Sequence, residues 1–385
     1  MTHTITTPAT PPTMVLELAD GSRHPAIWLR DNCPCPHCAD PGSGQKLFAV
    51  TDLPVHVRIA EATEHHDRVD IVFAPDHHRS TFDRAWLRAH RLDHSARAHD
   101  DRTEDAKHLW HAADLATAPP TGSWTAFQHD PAHRETCLES LLATGFILLR
   151  DVPTQERTVL AVAAGFGYVR HTNYGDLFDV RIEPNPANLA FSSLPISPHT
   201  DNPYRDPVPT IQLLHCLANA AQGGDSGLVD GFRAAADLRA ADRAAFDLLT
   251  STPVTFRYAD ATADLTATRP LIGLDPTGRI KEIRFNNRSM RPLALPIDQI
   301  DAFYAAYRQF ADILSSPRAH LTFRLEPGEC VVFDNTRILH ARTGFRADGH
   351  RHLQGCYADL DAAASNLALL RRPATTPTTA QTEAP

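Results

Sequence analysis

Apolar and polar positions change their spacing several times along this chain, and each change marks an element. In residues 14–33, MVLELADGSRHPAIWLRDNC, apolar residues alternate on both sides of Asp20-Gly21, which predicts a strand, a turn and a second strand. RVDIVFAPDHHRSTF, residues 68–82, repeats the strand signal, and DRAWLRAH, 83–90, predicts a short helix. Further on, Glu135–Thr144 carries a helical pattern, GFILLRDVP (145–153) a buried strand and QERTVLAVAAGFG (155–167) a second helix. Short apolar runs separated by Pro, Gly, Asn and Asp follow, with helical interludes at Gly231–Leu249 and Ile297–Leu314. Many short strands with polar turns point to a sandwich or jelly roll.

These patterns divide the chain. Residues 14–95 read as a small mixed α/β domain, 96–122 as a linker and 123–372 as a larger domain. The ends, 1–13 and 373–385, are rich in Pro, Thr and Ala and are expected to be disordered. Composition narrows the function. Hydrophobic residues make up 42% of the 385, enough for a sizeable core, and a formal charge of -9 argues against a nucleic-acid partner. No apolar stretch approaches a membrane span, and the N-terminus lacks a signal peptide's basic region and apolar core. The expectation is a cytoplasmic protein with no membrane partner.

The candidate chemistry centres on His199-Thr200-Asp201, within FSSLPISPHTDNPYRDPVPTIQLLHCL (191–217). A histidine and an aspartate two apart on an extended segment project to the same side and can meet one metal. A third ligand, His340, follows the apolar run and polar turn of LEPGECVVFDNTRILHARTGF (325–345). Two histidines and one carboxylate leave three positions of an octahedral ion open, the arrangement of non-haem Fe(II) oxygenases. Arg351, eleven residues past His340, supplies the fixed cation that a dicarboxylic keto acid requires. The chain has 22 histidines, so the HxD spacing gains its weight from this downstream context.

A second cluster lies in WLRDNCPCPHC, where Cys33, Cys35 and Cys38 have CxCxxC spacing. Three thiolates this close suit three corners of a structural zinc site, with Pro34 and Pro36 stiffening the loop. His37 is squeezed between ligands, which leaves His77 and His78 as the better candidates for the fourth.

HTD, the downstream histidine and RHLQGCYADLD (351–361), with the words around them, give residues 14–370 a resemblance to a known family. The chain is similar to the γ-butyrobetaine hydroxylase and trimethyllysine hydroxylase group of the taurine-dioxygenase-like Fe(II)/2-oxoglutarate oxygenases. The resemblance implies a mixed α+β protein, in which a double-stranded β-helix (jelly roll) catalytic domain follows a small N-terminal zinc-binding α/β domain. It places Fe(II) on His199, Asp201 and His340, and Zn(II) on Cys33, Cys35, Cys38 and His78. It puts 2-oxoglutarate on Arg351, with the Leu214 backbone facing it and Ser226 as a further hydroxyl donor. Ascorbate as a stimulant and a homodimer also come from the resemblance.

Substrate recognition is carried over in the same way. A quaternary ammonium has no hydrogen to donate, so it is held by aromatic faces. The family's cage positions fall on Tyr174, Phe178, Phe191 and Tyr357. Phe178 and Phe191 depart from the mammalian-type pattern, which has tryptophan and tyrosine there. Asn188 matches a polar pocket residue, and Asn202 replaces a tyrosine that contacts the carboxylate in the animal enzymes. Asn286, Asn287 and Arg205 are further candidates for an anionic head. The implied reaction is hydroxylation of a small trimethylammonium acid, with succinate and CO2 as co-products. γ-Butyrobetaine leads the candidates; 2-trimethylaminoethylphosphonate and trimethyllysine stay open. A non-catalytic binding protein on the same fold would be signalled by loss of a triad member or the arginine, and none is lost.

Overall fold

The computed structural model of the chain describes residues 13–92, 107–181, 193–346 and 349–372, and the structural statements here concern those residues. The chain divides into two compact units, residues 1–106 and 107–385.

In the first unit, β1 (Val15–Glu17) pairs antiparallel with β2 (Arg23–Pro25), across a turn in which Gly21 adopts φ 77°. That left-handed conformation favours glycine. The expected second strand stops at Pro25; Ala26–Asp31 is helical and buries Ala26 and Leu29. The alternation of AIWLRD is satisfied as well by i, i+3 burial as by a strand, and the short apolar run does not distinguish them. β3 (Arg58–Glu64), β4 (Arg68–Ala74) and β5 (Arg79–Asp83) form an antiparallel meander. Its buried Val69, Ile71 and Phe73 pack with Leu16, Leu29 and Leu87. Asp83 caps the helix Arg84–Ala89 by accepting from the Trp86 N–H.

The second unit contains β6 (Thr121–Ser123), β7 (Phe146–Arg150), β8 (Phe178–Arg181), β9 (Ile196–His199), β10 (Ile211–Asn219), β11 (Ser226–Asp230), β12 (Val254–Ala259), β13 (Asp264–Arg269), β14 (Ile272–Leu274), β15 (Ile280–Ile283), β16 (Leu321–Phe323), β17 (Cys330–Asp334), β18 (Ile338–Arg342) and β19 (Arg351–Ala358). One sheet has the order β6-β7-β17-β10-β19-β8 and a second the order β16-β11-β18-β9, with two hairpins, β12-β13 and β14-β15, beside them.

Alternation along the strands shows how the layers form. Ile147, Leu149, Leu213, Cys330 and Val332 pack with residues of the helices Pro131–Thr144 and Thr158–Phe166. Their neighbours Phe146, Leu148, Val331 and Phe333 turn the other way, against Leu228 and Ile338 of the second sheet. Both faces of the larger sheet are therefore covered. A third apolar cluster joins the hairpins to the helices Gly231–Ala241, Arg243–Ser251 and Ile297–Ser315. None of the helices is long and apolar enough to cross a membrane.

Two expectations change here. The Gly231–Leu249 helix is two helices, because the Asp242 carboxylate accepts from the Ala245 N–H and starts a new one. Residues 107–122, expected as linker, belong to the second unit: Trp110 is buried, its indole donates to the Thr144 carbonyl at 2.7 Å, and β6 pairs with β7. Average composition along a segment does not register one anchoring indole.

The β17–β18 turn ties these layers together. Arg337, 1% exposed, donates from Nε and Nη2 to both carboxylate oxygens of buried Asp230, at 3.0 and 2.8 Å, and from Nη1 to the Ala143 carbonyl. Asp230 also accepts from the backbone N–H groups of Trp110, Phe232 and Arg233. Truncating one member of a fully hydrogen-bonded buried pair strands the other charge, at a cost of about 3–5 kcal/mol. Arg337→Ala is therefore expected to lower unfolding free energy by about that amount in urea titrations; a loss under about 1 kcal/mol would contradict this role.

Candidate functional site

Strand pairing builds the first metal cluster. β18 runs antiparallel to β9 with His340 directly opposite His199, and their ring centroids lie 4.1 Å apart. Asp201, two residues beyond His199, brings Oδ1 to 3.4 Å from His199 Nε2 and Oδ2 to 3.9 Å from His340 Nε2. All three ligand atoms fall within 4.8 Å of one another.

The surroundings prepare each group for a cation. His199 Nδ1 sits 2.9 Å from the Ser197 carbonyl, so it carries the proton and leaves the Nε2 lone pair facing the cluster. Burial, reinforced by the adjacent His199, holds His340 down to about 3, so it is neutral at pH 7. Burial alone would raise the Asp201 carboxyl, but any positive charge on the facing imidazoles and the hydrogen bond from the Gln212 amide bring it below the usual carboxylate range. An ionised carboxylate and an imidazole with a free lone pair are the forms that bind metal.

A second cluster joins Cys33, Cys35, Cys38 and His78 in the first unit. His78 Nε2 lies 3.2, 3.6 and 3.6 Å from the three sulfurs in turn. Zn–S of roughly 2.3 Å and Zn–N of roughly 2.0 Å in a tetrahedron give S–N edges of about 3.5 Å, so the donors fit zinc. His77, at φ 53°, is exposed and stays outside. Burial and the nearby Arg30 cation lower the His78 pKa, favouring the neutral ligand form. Arg30 donates to Cys38 Sγ at 3.3 Å, a contact that stabilises thiolate, and Cys33 Sγ donates to Ser80 Oγ at 3.1 Å.

The His-Asp-His cluster lines a cavity of about 580 Å³, into which Leu214, Ser226 and Arg351 also project. Arg351 is buried and its Nε has no partner; Nη2 meets the Gly224 carbonyl at 3.5 Å, and it makes no ion pair among the described residues. A buried guanidinium with donors to spare suits the distal carboxylate of a keto diacid.

Three of the proposed cage residues line the same cavity. Phe178 is 5.3 Å from Tyr357 and 6.2 Å from Tyr174, centroid to centroid. Gly355 makes room for this: a Cβ there would lie 2.4 Å from Phe178 Cζ. Asn188 and Phe191 lie outside the described residues. Asn202 lines the cavity at φ 56°, buried, with both amide atoms unpartnered. Asn286 lines it too, but its amide bonds the Thr200 carbonyl and the Arg288 N–H.

Arg205 and Asn287 are not among the lining residues: Arg205 donates to Asn173, and Asn287 accepts from the Tyr307 hydroxyl. Sequence reasoning passes over Tyr204, Tyr258, Arg288 and Gln212, which do line the cavity. Tyr204 stands in HTDNPYRDP beside the ligands, a legible signal. Tyr258 stacks on it at 5.2 Å from the separate hairpin strand β12, which no local pattern indicates. Arg288, exposed while lining the cavity, makes no ion pair among the described residues.

Two imidazoles and a carboxylate meeting beside a cavity with a free guanidinium define a non-haem Fe(II), 2-oxoglutarate-dependent oxygenase. Comparison with known proteins names the branch. The model of the taurine catabolism dioxygenase TauD, TfdA family matches residues 106–357, and that of the γ-butyrobetaine hydroxylase-like N-terminal region matches 11–88. The chain is 38% identical over 360 residues to a γ-butyrobetaine dioxygenase of a Pseudomonas species, covering 92% of each chain. The γ-butyrobetaine dioxygenase of Homo sapiens is 32% identical, over 91% of this chain and 92% of the relative. A trimethyllysine dioxygenase of Bos taurus is 27% identical, over 89% and 82%. The chain thus belongs to the TauD, TfdA dioxygenase family, in its γ-butyrobetaine hydroxylase-like group.

The two clusters make separable predictions. Asp201→Ala is expected to abolish 2-oxoglutarate turnover while circular dichroism stays unchanged; retained turnover would remove Asp201 from the iron site. Cys35→Ser is expected to release zinc, read by elemental analysis, and to lower the melting temperature of the first unit.

Proposed function

We propose that this dioxygenase hydroxylates an unactivated C–H bond of a small trimethylammonium acid, with conversion of γ-butyrobetaine to carnitine as the first assignment. The observation that carries the reading is the aromatic wall beside the ligands: Tyr174, Phe178, Tyr204, Tyr258 and Tyr357 all border one cavity with His199, Asp201 and His340. A quaternary ammonium is attracted to such faces and loses little on leaving water. The named relatives support the same substrate class. The facing sheets of the second unit are read as the family's double-stranded β-helix, and the protein as a cytoplasmic homodimer on the resemblance.

The residues divide the work along the cavity. Arg351, with Ser226 and the Leu214 backbone nearby, would hold the co-substrate's distal carboxylate. Iron with 2-oxoglutarate and oxygen supplies the oxidising power when bound, yielding succinate and CO2. The aromatic wall holds the cation, excludes water and fixes which carbon faces the metal. Arg288, with Asn202 nearby on the same cavity, is the group we assign to the acid head.

Arg288 also favours a second reading. An unpaired guanidinium fork suits a phosphonate as well as a carboxylate, which keeps 2-trimethylaminoethylphosphonate as the alternative. Succinate release with product mass, measured for γ-butyrobetaine, the phosphonate and trimethyllysine, decides between them. Addition of one oxygen to γ-butyrobetaine as the fastest reaction supports the first assignment; a faster reaction of the phosphonate transfers it, and inactivity on all three rejects the substrate class. Phe178→Ala is expected to raise KM for the preferred substrate by roughly 2- to 30-fold, the equivalent of about 0.5–2 kcal/mol of cation–π attraction.

A further inference from the structure

We propose that Gln212 is a positioning residue that determines which oxygen of Asp201 is presented to the metal. The inference rests on the reading of His199, Asp201 and His340 as the iron site. Gln212 lies in the middle of the larger sheet on β10, 1% exposed, on the strand face that borders the cavity. Its Nε2 donates to Asp201 Oδ2 at 2.8 Å. An ionised carboxylate only accepts, so the amide must present its nitrogen there, and this orientation is chemically required.

Gln212 does not act alone. Tyr357 stands directly opposite it in the β10–β19 ladder and donates its hydroxyl to the same oxygen at 3.2 Å. Asn335 fixes the main chain of Asp201 from both sides, accepting from its N–H at 2.8 Å and donating to its carbonyl at 2.9 Å. With the backbone held by Asn335, the remaining freedom is rotation of the carboxylate. Two donors on Oδ2 oppose that rotation and leave Oδ1 toward His199 Nε2.

The chemical consequence is a count of open positions. A carboxylate bound through one oxygen uses one octahedral position; bound through both, it uses two. A facial triad needs three positions left open. Holding Oδ2 on Gln212 and Tyr357 keeps that number. The Gln212 Oε1 is buried without a partner, so the same amide also offers an acceptor to a proton donor in the cavity.

The test uses Gln212→Met, which keeps volume and removes the donor, and Tyr357→Phe, which keeps the ring and removes the hydroxyl. Co(II) is titrated by calorimetry into zinc-replete, iron-free protein. The expected result is about 10- to 100-fold weaker binding for Gln212→Met, the usual effect of removing a hydrogen bond behind a metal ligand. A smaller loss is expected for Tyr357→Phe, together with more succinate per hydroxylated product in both variants. Unchanged Co(II) affinity and product ratio in Gln212→Met, or a loss matched by a lower melting temperature of the iron-free protein, would overturn the role. Asp201→Ala separates the two readings. If it abolishes Co(II) binding while Gln212→Met does not weaken it, only the positioning role fails; if it leaves binding intact, the iron-site reading fails first.

Discussion

The four-residue turn Asp334–Arg337 is the constraint on which the larger unit depends, because it carries the chain from one sheet to the other while holding a charge in the core. A buried guanidinium is costly unless it is paired and hydrogen-bonded, and all three Arg337 nitrogens find acceptors on Asp230 and main-chain carbonyls. Asp230 in turn starts the helix Gly231–Ala241. Within the same turn Asp334 accepts from Thr336, and Asn335 grips the backbone of Asp201. The residues that close the core and those that orient the metal ligand are thus neighbours. A ligand held within fractions of an ångström has to stand on such a rigid base.

Charge is distributed unevenly along the cavity, and the distribution matches the chemistry. Asp201 is an anion beside the two imidazoles, while Arg351 and Arg288 each lack an acidic partner among the described residues. The same cavity carries an aromatic wall, with ring centroids 5.2 to 6.2 Å apart. An anionic co-substrate, a cationic group and an acidic head each find a complementary surface there.

The zinc cluster shows how the same principles give a different result. Four protein donors at tetrahedral spacing leave no open position, so zinc held there would contribute folding energy and no chemistry. The iron cluster has three donors and a cavity. Donor number and access separate the structural site from the reactive one.

Much of the fold and of both metal sites is legible in the amino-acid order, wherever the information is local. CxCxxC, the HxD pair and strand alternation in RVDIVFA depend on spacings of a few residues, set by backbone geometry itself. The helix break at Asp242 and the helix Ala26–Asp31 escape that pattern because a cap or an i, i+3 pair competes locally with an equally good alternative. Tertiary structure alone decided what depends on register and side-chain direction. It placed Arg288 on the cavity while Arg205 turned to Asn173, brought Tyr258 from a distant hairpin onto Tyr204, and aligned Gln212 with Tyr357 on one carboxylate oxygen. The sequence by itself determined which chemistry is available, because ligand types and short spacings are written in it. Only the fold decided which groups share the site, because strand register and the left-handed backbone at Asn202 set directions that no linear spacing contains.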